Sequence, residues 1–311
     1  MRANKMLGLW RAGASFALRV LNFCASKCGD LGLSSMLDEG ERRLRMAGVD
    51  SPRVNAEWLL AAALGVRRSE LPLLDEREIC DQCRRRWDSS MELRCRRIPL
   101  QHILGTVPFC GIELAVTGDA LVPRPETEML VDMLIGRFAK NPPKSIVDLG
   151  TGGGACILAL GNAFTGAALA ACDISDRALE LARRNEKLCG LGGRVSFGRS
   201  DWFSSLDGSW DLIVANPPYL TEDEWSTAEP EVRHWDPKLA LVGGGKDGSD
   251  ALRRIISDAP NHLTPMGTLA VEMGISQGTE LATLAESVGF RCEIVKDLNG
   301  FDRFMICTHN R

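Results

Sequence analysis

The tetrapeptide Asn216-Pro217-Pro218-Tyr219 is the segment whose residue types point most directly to chemistry, and it contains the only tyrosine of the chain. It follows an apolar run, Trp210 to Ala215, that is typical of a buried strand. Consecutive prolines fix the backbone and remove two N–H donors, and the residue before a proline is held extended. The Asn216 side chain and the neighbouring carbonyl groups are therefore presented as hydrogen-bond acceptors at the end of a strand.

A rigid pair of acceptors matches an NH2 group, which has two donors to satisfy. An amide or aromatic amine is a poor nucleophile until its lone pair is released from resonance. Holding both N–H bonds in a bent geometry would favour that state in the transition state more than in the ground state. Taken alone, the tetrapeptide is also compatible with a stiff turn that is covered by an aromatic ring.

A glycine loop, Gly150-Thr151-Gly152-Gly153-Gly154, follows a second apolar run, Ile146 to Leu149, and precedes a helix that is predicted to begin near Ala155. Glycines allow positive φ angles and a close approach of the backbone to a ligand. The N-terminus of the helix offers free N–H groups to a carboxylate or a phosphate. The loop alone fits a nucleotide, a dinucleotide or a tight turn.

The strand after the glycine loop narrows these alternatives. This strand ends at Asp173, about twenty residues after the glycine loop. An acid at that place can accept hydrogen bonds from both hydroxyls of a ribose. Asp201 and Trp202, after the third strand, can supply a polar contact and an aromatic face to an adenine. An NAD enzyme would account for these residues too, but the Asn-Pro-Pro-Tyr turn has no evident use in one. The combination favours methylation of an amine or amide nitrogen.

The elements that position these residues alternate between strand and helix. A helix is predicted over Glu126 to Lys140 and another over Ser175 to Cys189, with Ser175 as its N-cap. Alternation of this kind indicates a parallel, doubly wound α/β sheet. The last two strands are separated by a short turn, Asp297 to Asp302, and are expected to form an antiparallel hairpin. The predicted strands are Ser145 to Leu149, Ala167 to Cys172, Val195 to Arg199, Trp210 to Ala215, Thr268 to Met273, Arg291 to Val295 and Arg303 to Cys307.

The N-terminal part of the chain has a different pattern. Residues 31–98 are predicted to form a small helical domain, and its third helix runs from about Glu76 to Arg97. One side of this helix carries an apolar stripe, and the other is expected to be a solvated, arginine-rich face or a docking surface for an RNA-rich partner. The stripe is Ile79, Cys83, Trp87 and Met91, and the arginines are Arg84, Arg85, Arg86, Arg94, Arg96 and Arg97.

The remaining domain limits follow from composition. Residues 1–30 are basic and contain no acid before Asp30, so we expect an extension outside the folded domains, or an organelle transit peptide. Residues 99–122 carry short apolar runs, beginning with Gln101 to Leu104, that are separated by glycines. They predict a β-hairpin linker. Residues 123–311 form the predicted catalytic domain.

Overall composition limits the classes of partner and compartment. The net charge of −4 argues against bulk nucleic acid as the main partner, and no segment is apolar over the roughly 20 residues that span a bilayer. Eleven cysteines, an odd number, indicate a reduced, cytosol-type protein without a disulfide framework. Cys80 and Cys83 lack a second pair at zinc-finger spacing, so we interpret them as partly buried helix residues and predict no metal. We expect a cytoplasmic location, or the mitochondrial matrix if residues 1–30 are a transit peptide.

In this order, the motifs resemble those of a class I S-adenosylmethionine-dependent methyltransferase. Asn-Pro-Pro-Tyr is shared by DNA adenine N6-methyltransferases and glutamine N5-methyltransferases. Two further segments, Leu121 to Glu128 (LVPRPETE) and Pro99 to Gly105 (PLQHILG), resemble the peptide chain release factor glutamine methyltransferase family, HemK/PrmC. The resemblance runs from about Leu37 to Cys307 and includes Asp236-Pro237 and the Gly244 to Gly248 region.

The resemblance implies a seven-stranded Rossmann-like sheet whose last strand is antiparallel. It also implies an S-adenosylmethionine pocket formed by Gly150 to Gly154, Asp173, Trp202 and Asn216, and a substrate pocket at Asn216 to Tyr219. The implied substrate is the glutamine of the Gly-Gly-Gln motif of release factors, with no stable nucleic acid or membrane partner and a monomeric enzyme. The loop reads GTGGG where relatives have GTGTG or GTGSG, a change that we expect to be tolerated.

On this interpretation, the Asn216 side-chain oxygen and the Pro217 carbonyl hold the two N–H bonds of the substrate amide while Tyr219, with Pro218, packs on its plane. Positioning and charge stabilisation would carry most of the rate. His234 is interpreted as a surface residue. Glu126 and Glu128 could reach the site, but we favour a role in capping and supporting the helix that starts there. The alternatives are an adenine methyltransferase that acts on DNA or RNA, which would need a basic region to hold a flipped base, and a cofactor-binding assembly factor without activity.

Overall fold

A computed structural model of the chain describes residues 32–74 and 79–309. The chain divides into two compact units between Leu104 and Gly105. The basic segment 1–30 lies outside the described residues, and so does Glu76, the predicted start of the third helix.

The first unit is helical, and its third helix begins at Asp81, so Ile79 of the predicted apolar stripe lies before it, contrary to the prediction. Ile79, Cys83, Trp87 and Met91 are all buried in the core of this unit. Cys80 is the N-cap of that helix, where its sulfur accepts from the Cys83 N–H at 3.4 Å. The helices are α1 (Leu33–Met46), α2 (Pro52–Leu64), α3 (Asp81–Cys95) and α4 (Leu100–Leu104), with a 3-10 turn at Arg68–Leu73.

The arginine-rich face of α3 is interrupted at Arg94, so the expectation that Arg94 belongs to the solvated face is wrong. Arg94 is 6% exposed, and its guanidinium donates to Asn55 Oδ1 at 2.8 Å and to the Ile98 carbonyl at 3.1 Å. Arg94 follows Met91 by three positions and therefore lies on the side of the helix that carries the apolar stripe. Both hydrogen bonds offset the loss of hydration of the buried charge.

The segment after Pro99 is helical before it becomes extended, which corrects the start of the predicted β-hairpin linker, residues 99–122. The Pro99 carbonyl accepts from the N–H groups of His102 and Ile103, so a helical turn begins there. The apolar residues Leu100, Ile103 and Leu104 have helical spacing and pack against the core of the first unit. The hairpin comes later, as the antiparallel strands β1 (Thr106–Phe109) and β2 (Ile112–Ala115).

The second unit contains a seven-stranded sheet in the order β5-β4-β3-β6-β7-β9-β8. The strands pair in parallel except β9, which is antiparallel to both neighbours, so the predicted fold class and the antiparallel last strand are confirmed. All seven predicted strands are present; their ends differ from the prediction by at most about two residues, except that β7 begins at Leu263 and not at Thr268. They are β3 (Ser145–Leu149), β4 (Ala168–Asp173), β5 (Val195–Arg199), β6 (Trp210–Ala215), β7 (Leu263–Glu272), β8 (Phe290–Lys296) and β9 (Asp302–His309).

Helices cover both faces of this sheet, and successive residues of the central strands face opposite cores. Ile146 packs in one hydrophobic cluster with the helix 155–163, and Val147 packs in the other with the helices 250–258 and 278–287. Ser175 caps the helix 176–188 by accepting from the Ala178 N–H, as predicted. The helices are α5 (Pro125–Arg137), α6 (Ala155–Ala163), α7 (Asp176–Leu188), α8 (Glu222–Thr227), α9 (Pro230–Trp235), α10 (Asp250–Asp258) and α11 (Gly278–Ser287), with 3-10 turns at Lys238–Ala240 and Ala259–Asn261.

One cysteine pair departs from the expectation of fully reduced thiols. Cys292 of β8 and Cys307 of β9 lie directly opposite each other in the antiparallel hairpin and are joined by a disulfide bond. The hairpin register brings these two sulfurs together, which the count of eleven cysteines could not indicate.

Among the helices of residues 32–74 and 79–309, none is long and apolar enough to cross a membrane.

The helix that follows the glycine loop packs tightly on the sheet at Gly161. A Cβ atom at this position would lie 2.5 Å from Leu169 Cδ1 of β4, in the core. We predict that Gly161→Ala destabilises the second unit by about 1 kcal/mol, since overpacking outweighs the gain in helix propensity. The measurement is the free energy of unfolding in urea.

Gly136 provides the matched control, because it lies in the last turn of α5 with no heavy atom within 4 Å of an added Cβ. Gly136→Ala should stabilise the same unit by about 0.5–1 kcal/mol. Equal stabilisation by both substitutions would show that Gly161 is not held by close packing.

Candidate active site

The register of the central strands brings the predicted motifs to one edge of the sheet. Leu149 of β3 pairs with Ala215 of β6 and with Cys172 of β4. The residues that follow, Gly150 and Asn216, therefore leave neighbouring strands at the same level, beside Asp173 at the end of β4. Strand order reverses around β3, and ligands of open α/β sheets bind at the carboxyl ends of strands at such a point.

A cleft of about 300 Å³ opens at this edge. Of the predicted residues, it is lined by Gly150, Thr151, Gly152, Gly153, Asp173, Trp202, Asn216 and Pro218. Pro217 and Tyr219 line a second cavity of about 240 Å³, which shares Asn216 and Pro218 with the cleft. Gly154 is not among the lining residues of either cavity, and an added Cβ there would lie 3.1 Å from Leu158 of α6 and 3.3 Å from Ala182 of α7.

The glycine loop has the backbone that its sequence predicts. Gly150 and Gly152 have φ angles of 68° and 55°, in the region that favours glycine. The ring of Trp202 lies against Gly150, where an added Cβ would be 3.1 Å from the indole. The Gly152 N–H donates to Asp173 Oδ2 at 2.9 Å, and the Ser175 N–H donates to Asp173 Oδ1 at 2.8 Å. These bonds hold the loop and the acid in fixed positions at the rim of the cleft.

Asp148 is a cleft residue that the sequence analysis did not single out. It is 2% exposed within β3, and the Thr151 hydroxyl donates to it at 2.6 Å. Burial raises the pKa of Asp148 to about 7, with a smaller contribution from the charge of Asp173, although the hydrogen bond from Thr151 acts in the opposite direction. Burial also raises the pKa of Asp173. Both acids therefore favour a cation in the cleft, whose charge would offset their own.

The Asn216 side chain is held through its nitrogen. Asn216 Nδ2 donates to Thr127 Oγ1 at 2.8 Å, and the Thr127 hydroxyl donates to Glu272 Oε2 at 2.7 Å. No residue of the described chain donates to Asn216 Oδ1 or to the Pro217 carbonyl. Both atoms that were predicted to act as acceptors therefore lack a donor within the described chain.

Tyr219 is anchored at its hydroxyl group. It donates to Glu272 Oε1 at 2.9 Å, and the Arg303 guanidinium lies 5.9 Å from the centre of its ring. Burial raises the pKa of Tyr219, and the charge and hydrogen bond of Glu272 raise it further, so the phenol remains protonated as a donor. The ring contributes to the wall of the second cavity.

A glycine-containing loop supports the Asn-Pro-Pro-Tyr turn from behind. The Gly243 N–H donates to the Leu220 carbonyl at 3.0 Å, and an added Cβ at Gly243 would lie 2.4 Å from the Pro218 carbonyl oxygen. Gln277 Nε2 donates to the Tyr219 carbonyl at 3.0 Å. The carbonyl groups of Tyr219 and Leu220 are therefore occupied, in contrast to that of Pro217.

The segment that carries the LVPRPETE motif is fixed by two interactions. Arg124 forms an ion pair with Asp236, whose side chain is buried. Glu128, in the first turn of α5, accepts from the Cys110 N–H of the hairpin at 2.7 Å, in agreement with a supporting role.

His234 is exposed and lines neither cavity. Within residues 32–74 and 79–309, no cluster of three or more His, Cys, Asp or Glu side chains has a metal-binding arrangement.

Three functional candidates, Asp148, Thr127 and Glu272, were missed from the sequence. Asp148 and Glu272 each stand in an otherwise apolar strand (SIVDL and LAVE), which is a signal that was present. A buried acid needs partners, so an acid in such a strand indicates a polar site at its end. Thr127 carries no comparable signal, because its role depends on where α5 packs.

The comparisons with known proteins cover both units. Residues 35–105 match the model of the PrmC N-terminal domain, and residues 127–230 match that of the methyltransferase small domain. A methyltransferase structure from Pyrococcus furiosus has a TM-score of 0.50 and 18% identity over 65% of this chain and 90% of that one, which shows the fold alone.

Two relatives of higher sequence identity carry the same name. A release factor glutamine methyltransferase of Deinococcus radiodurans is 40% identical over 274 residues, which are 88% of this chain and 97% of that protein. The protein of the same name from Agrobacterium fabrum is 37% identical over 282 residues, 89% of this chain and 97% of that one. This chain therefore belongs to the release factor glutamine methyltransferase family.

Proposed function

We propose that the protein methylates the side-chain nitrogen of a glutamine in peptide chain release factors, within their Gly-Gly-Gln motif, with S-adenosylmethionine as methyl donor. The observation that carries the proposal is the pair of available acceptors, Asn216 Oδ1 and the Pro217 carbonyl, between the cleft and the second cavity. The names of the relatives support the choice of a release factor as substrate. The helical first unit is proposed to take part in recognising that protein.

The acceptor pair explains how a carboxamide can become a nucleophile. Two acceptors on a stiff turn bind both N–H groups of the glutamine and hold its nitrogen in a bent geometry. The lone pair is then directed to the cleft instead of being delocalised into the carbonyl group. Because these acceptors are fixed before binding, little reorganisation is needed in the transition state. The nitrogen becomes strongly acidic on methylation, so no strong base is required.

The cleft fits the proposed cofactor by the chemistry of its lining. S-adenosylmethionine supplies a methyl group on a positively charged sulfur. Asp173 is placed to accept hydrogen bonds from ribose hydroxyls, and the indole of Trp202 offers a face for an adenine. The carboxyl groups of Asp148 and Asp173 line the cleft, and a bound cation would favour their ionised forms. A volume of about 300 Å³ lies at the lower end of the range of small-molecule sites.

The direct test is mass spectrometry of the Gly-Gly-Gln peptide of a release factor after incubation with enzyme and cofactor. We expect a gain of one methyl group on the glutamine. Adenine-containing DNA and RNA serve as competing substrates in the same assay. Methylation of the nucleic acid with none on the release factor would replace the proposal by the adenine methyltransferase alternative, and cofactor binding without any transfer would favour the assembly factor.

Asn216→Ala removes one of the two acceptors. We predict a fall in kcat of at least about a hundredfold, comparable to the loss of one fixed dipole in other active sites. Cofactor affinity should change by less than about fivefold, because one neutral contact is lost from the cleft. Asn299→Ala, in the exposed β8–β9 turn, is the control and should behave like the native protein. Normal turnover by Asn216→Ala would contradict the assigned role.

Asp173→Ala removes a carboxylate from the rim of the cleft. We predict that the Kd of S-adenosylhomocysteine, measured by calorimetry, rises about tenfold to a hundredfold, since hydrogen bonds to a charged group are lost. Asp176→Ala is the matched control, because Asp176 follows three positions later with an exposed side chain. An equal effect of both substitutions would mean that the change reflects general charge and not the site.

The pKa of Asp148, which burial raises to about 7, predicts how cofactor binding depends on pH. A cation in the cleft favours the ionised acid, so binding below pH 7 must release a proton. Affinity for S-adenosylmethionine should therefore fall about tenfold between pH 8 and pH 6, as expected for one linked proton. Above pH 8 the acid is already ionised and its contribution is constant.

Asp148→Asn is the control for this measurement. Titration of the cofactor's own groups affects both proteins equally, so the difference between their pH profiles isolates Asp148. The variant should lose the tenfold dependence that one linked proton produces. Identical profiles for the two proteins would contradict a linked titration at this residue.

A further inference from the structure

A short hydrogen-bonded chain lies beneath the Asn-Pro-Pro-Tyr turn and joins three elements. Asn216, after β6, donates from Nδ2 to Thr127 of α5, and Thr127 donates to Glu272 at the end of β7. The Tyr219 hydroxyl donates to the other oxygen of Glu272. Each carboxylate oxygen thus receives one hydroxyl donor.

The direction of this chain follows from the chemistry of its last member. An ionised carboxylate only accepts hydrogen bonds, so the hydroxyls of Thr127 and Tyr219 must both donate to Glu272. The hydrogen of Thr127 is then committed, and its oxygen can only accept from the group on its other side. The group that satisfies it is the NH2 of Asn216. The opposite end of the same amide, Oδ1, is thereby left for the cavity.

Burial makes this direction costly to reverse. Glu272 is 1% exposed and Thr127 is 4% exposed, so water does not replace a lost partner easily. If the Asn216 amide were turned over, its oxygen would face the oxygen of Thr127 without a hydrogen between them, and a buried acceptor left unpaired is destabilising.

The charges around Glu272 act in both directions. Burial raises the pKa of Glu272, and the charge of Glu126 adds to that effect. The hydrogen bonds from Thr127 and Tyr219 and the charge of Arg303 lower it and favour the ionised acid. The donors and the cation around Glu272 are therefore those that a buried carboxylate requires.

We propose that Glu272, acting through Thr127, fixes the side-chain amide of Asn216 with its oxygen toward the substrate, and that this orientation makes the enzyme select a carboxamide over a carboxylate. The inference rests on the proposed function and extends it to two positioning residues. A glutamine side chain brings an NH2 group to the fixed oxygen. A glutamate side chain brings only oxygens and is repelled. With the amide reversed, Asn216 would offer donors and the preference would weaken.

The test compares a release factor that carries glutamine at the methylated position with the same protein carrying glutamate, used as a competitor. The enzymes are the native protein, Thr127→Val and Glu272→Gln, both nearly isosteric. We expect kcat on the glutamine form to fall about tenfold to a hundredfold in each variant. The ratio of the inhibition constant of the glutamate form to the KM of the glutamine form should fall at least about tenfold, because the orientation of Asn216 is released.

Two further variants separate positioning from general damage. Thr127→Ser retains the hydroxyl and should recover most of the turnover that Thr127→Val loses. Thr268→Val alters another buried threonine, on the same strand as Glu272, and should leave both kcat and the ratio at native values. The urea midpoint of unfolding is measured for each variant, to identify one that has only lost stability. If Thr127→Val is such a variant, the comparison relies on Glu272→Gln.

The outcomes distinguish this inference from the proposed function. Native enzyme that fails to methylate the glutamine form would remove the proposed function itself. Native enzyme that is active, with both variants keeping the native ratio of the two constants, would overturn the positioning role even if kcat fell. A reduced ratio in both variants, with recovery in Thr127→Ser, would establish it.

Discussion

The level at which the central strands end is the constraint on which the site depends. Ala215 of β6 pairs with Leu149 of β3 on one side and with Val271 of β7 on the other. The next residues, Gly150, Asn216 and Glu272, are brought side by side by this register alone. A slip of one residue would exchange the two faces of a strand and turn the polar side chain at its end away from its partners. The close packing of the apolar residues on both faces opposes such a slip, so the core that stabilises the sheet also aligns the site.

Three buried or partly buried acids lie at this same edge of the sheet, where each has hydrogen-bond donors. Asp148, Asp173 and Glu272 are each largely removed from water, and burial raises the pKa of all three. Each is compensated by nearby donors, which are a hydroxyl for Asp148, two backbone N–H groups for Asp173 and two hydroxyls for Glu272. The acids are also divided by place. Asp148 and Asp173 line the cleft, whereas Glu272 lines only the second cavity, so the charge that suits a cationic ligand is separate from the charge that orients Asn216.

The sequence was informative where a residue acts through its own backbone or its place on a strand. The seven strands, the antiparallel last strand and the cap at Ser175 follow from local pattern and are confirmed. The glycine loop and the proline turn were found for the same reason. Thr127 could not be found, because its partners are 89 and 145 residues away along the chain and meet it only through helix packing. The burial of Arg94 was not predicted, because it depends on the helices that pack around it. The helical conformation of Gln101 to Leu104 was not predicted either, because it depends on packing against the core of the first unit.

The stiffness of the Asn-Pro-Pro-Tyr turn fixes the acceptors that it presents to a ligand. Pro217 and Pro218 have no N–H groups to compete for a ligand. Behind the turn, Gly243 lies so close that a side chain there would overlap the Pro218 carbonyl, and Gln277 occupies the carbonyl of Tyr219. The Asn216 side-chain oxygen and the Pro217 carbonyl are left without donors from the described chain, and so is the Pro218 carbonyl, which Gly243 covers. The conformational cost of arranging them is met during folding and not on binding, which is the condition under which fixed dipoles lower a barrier most.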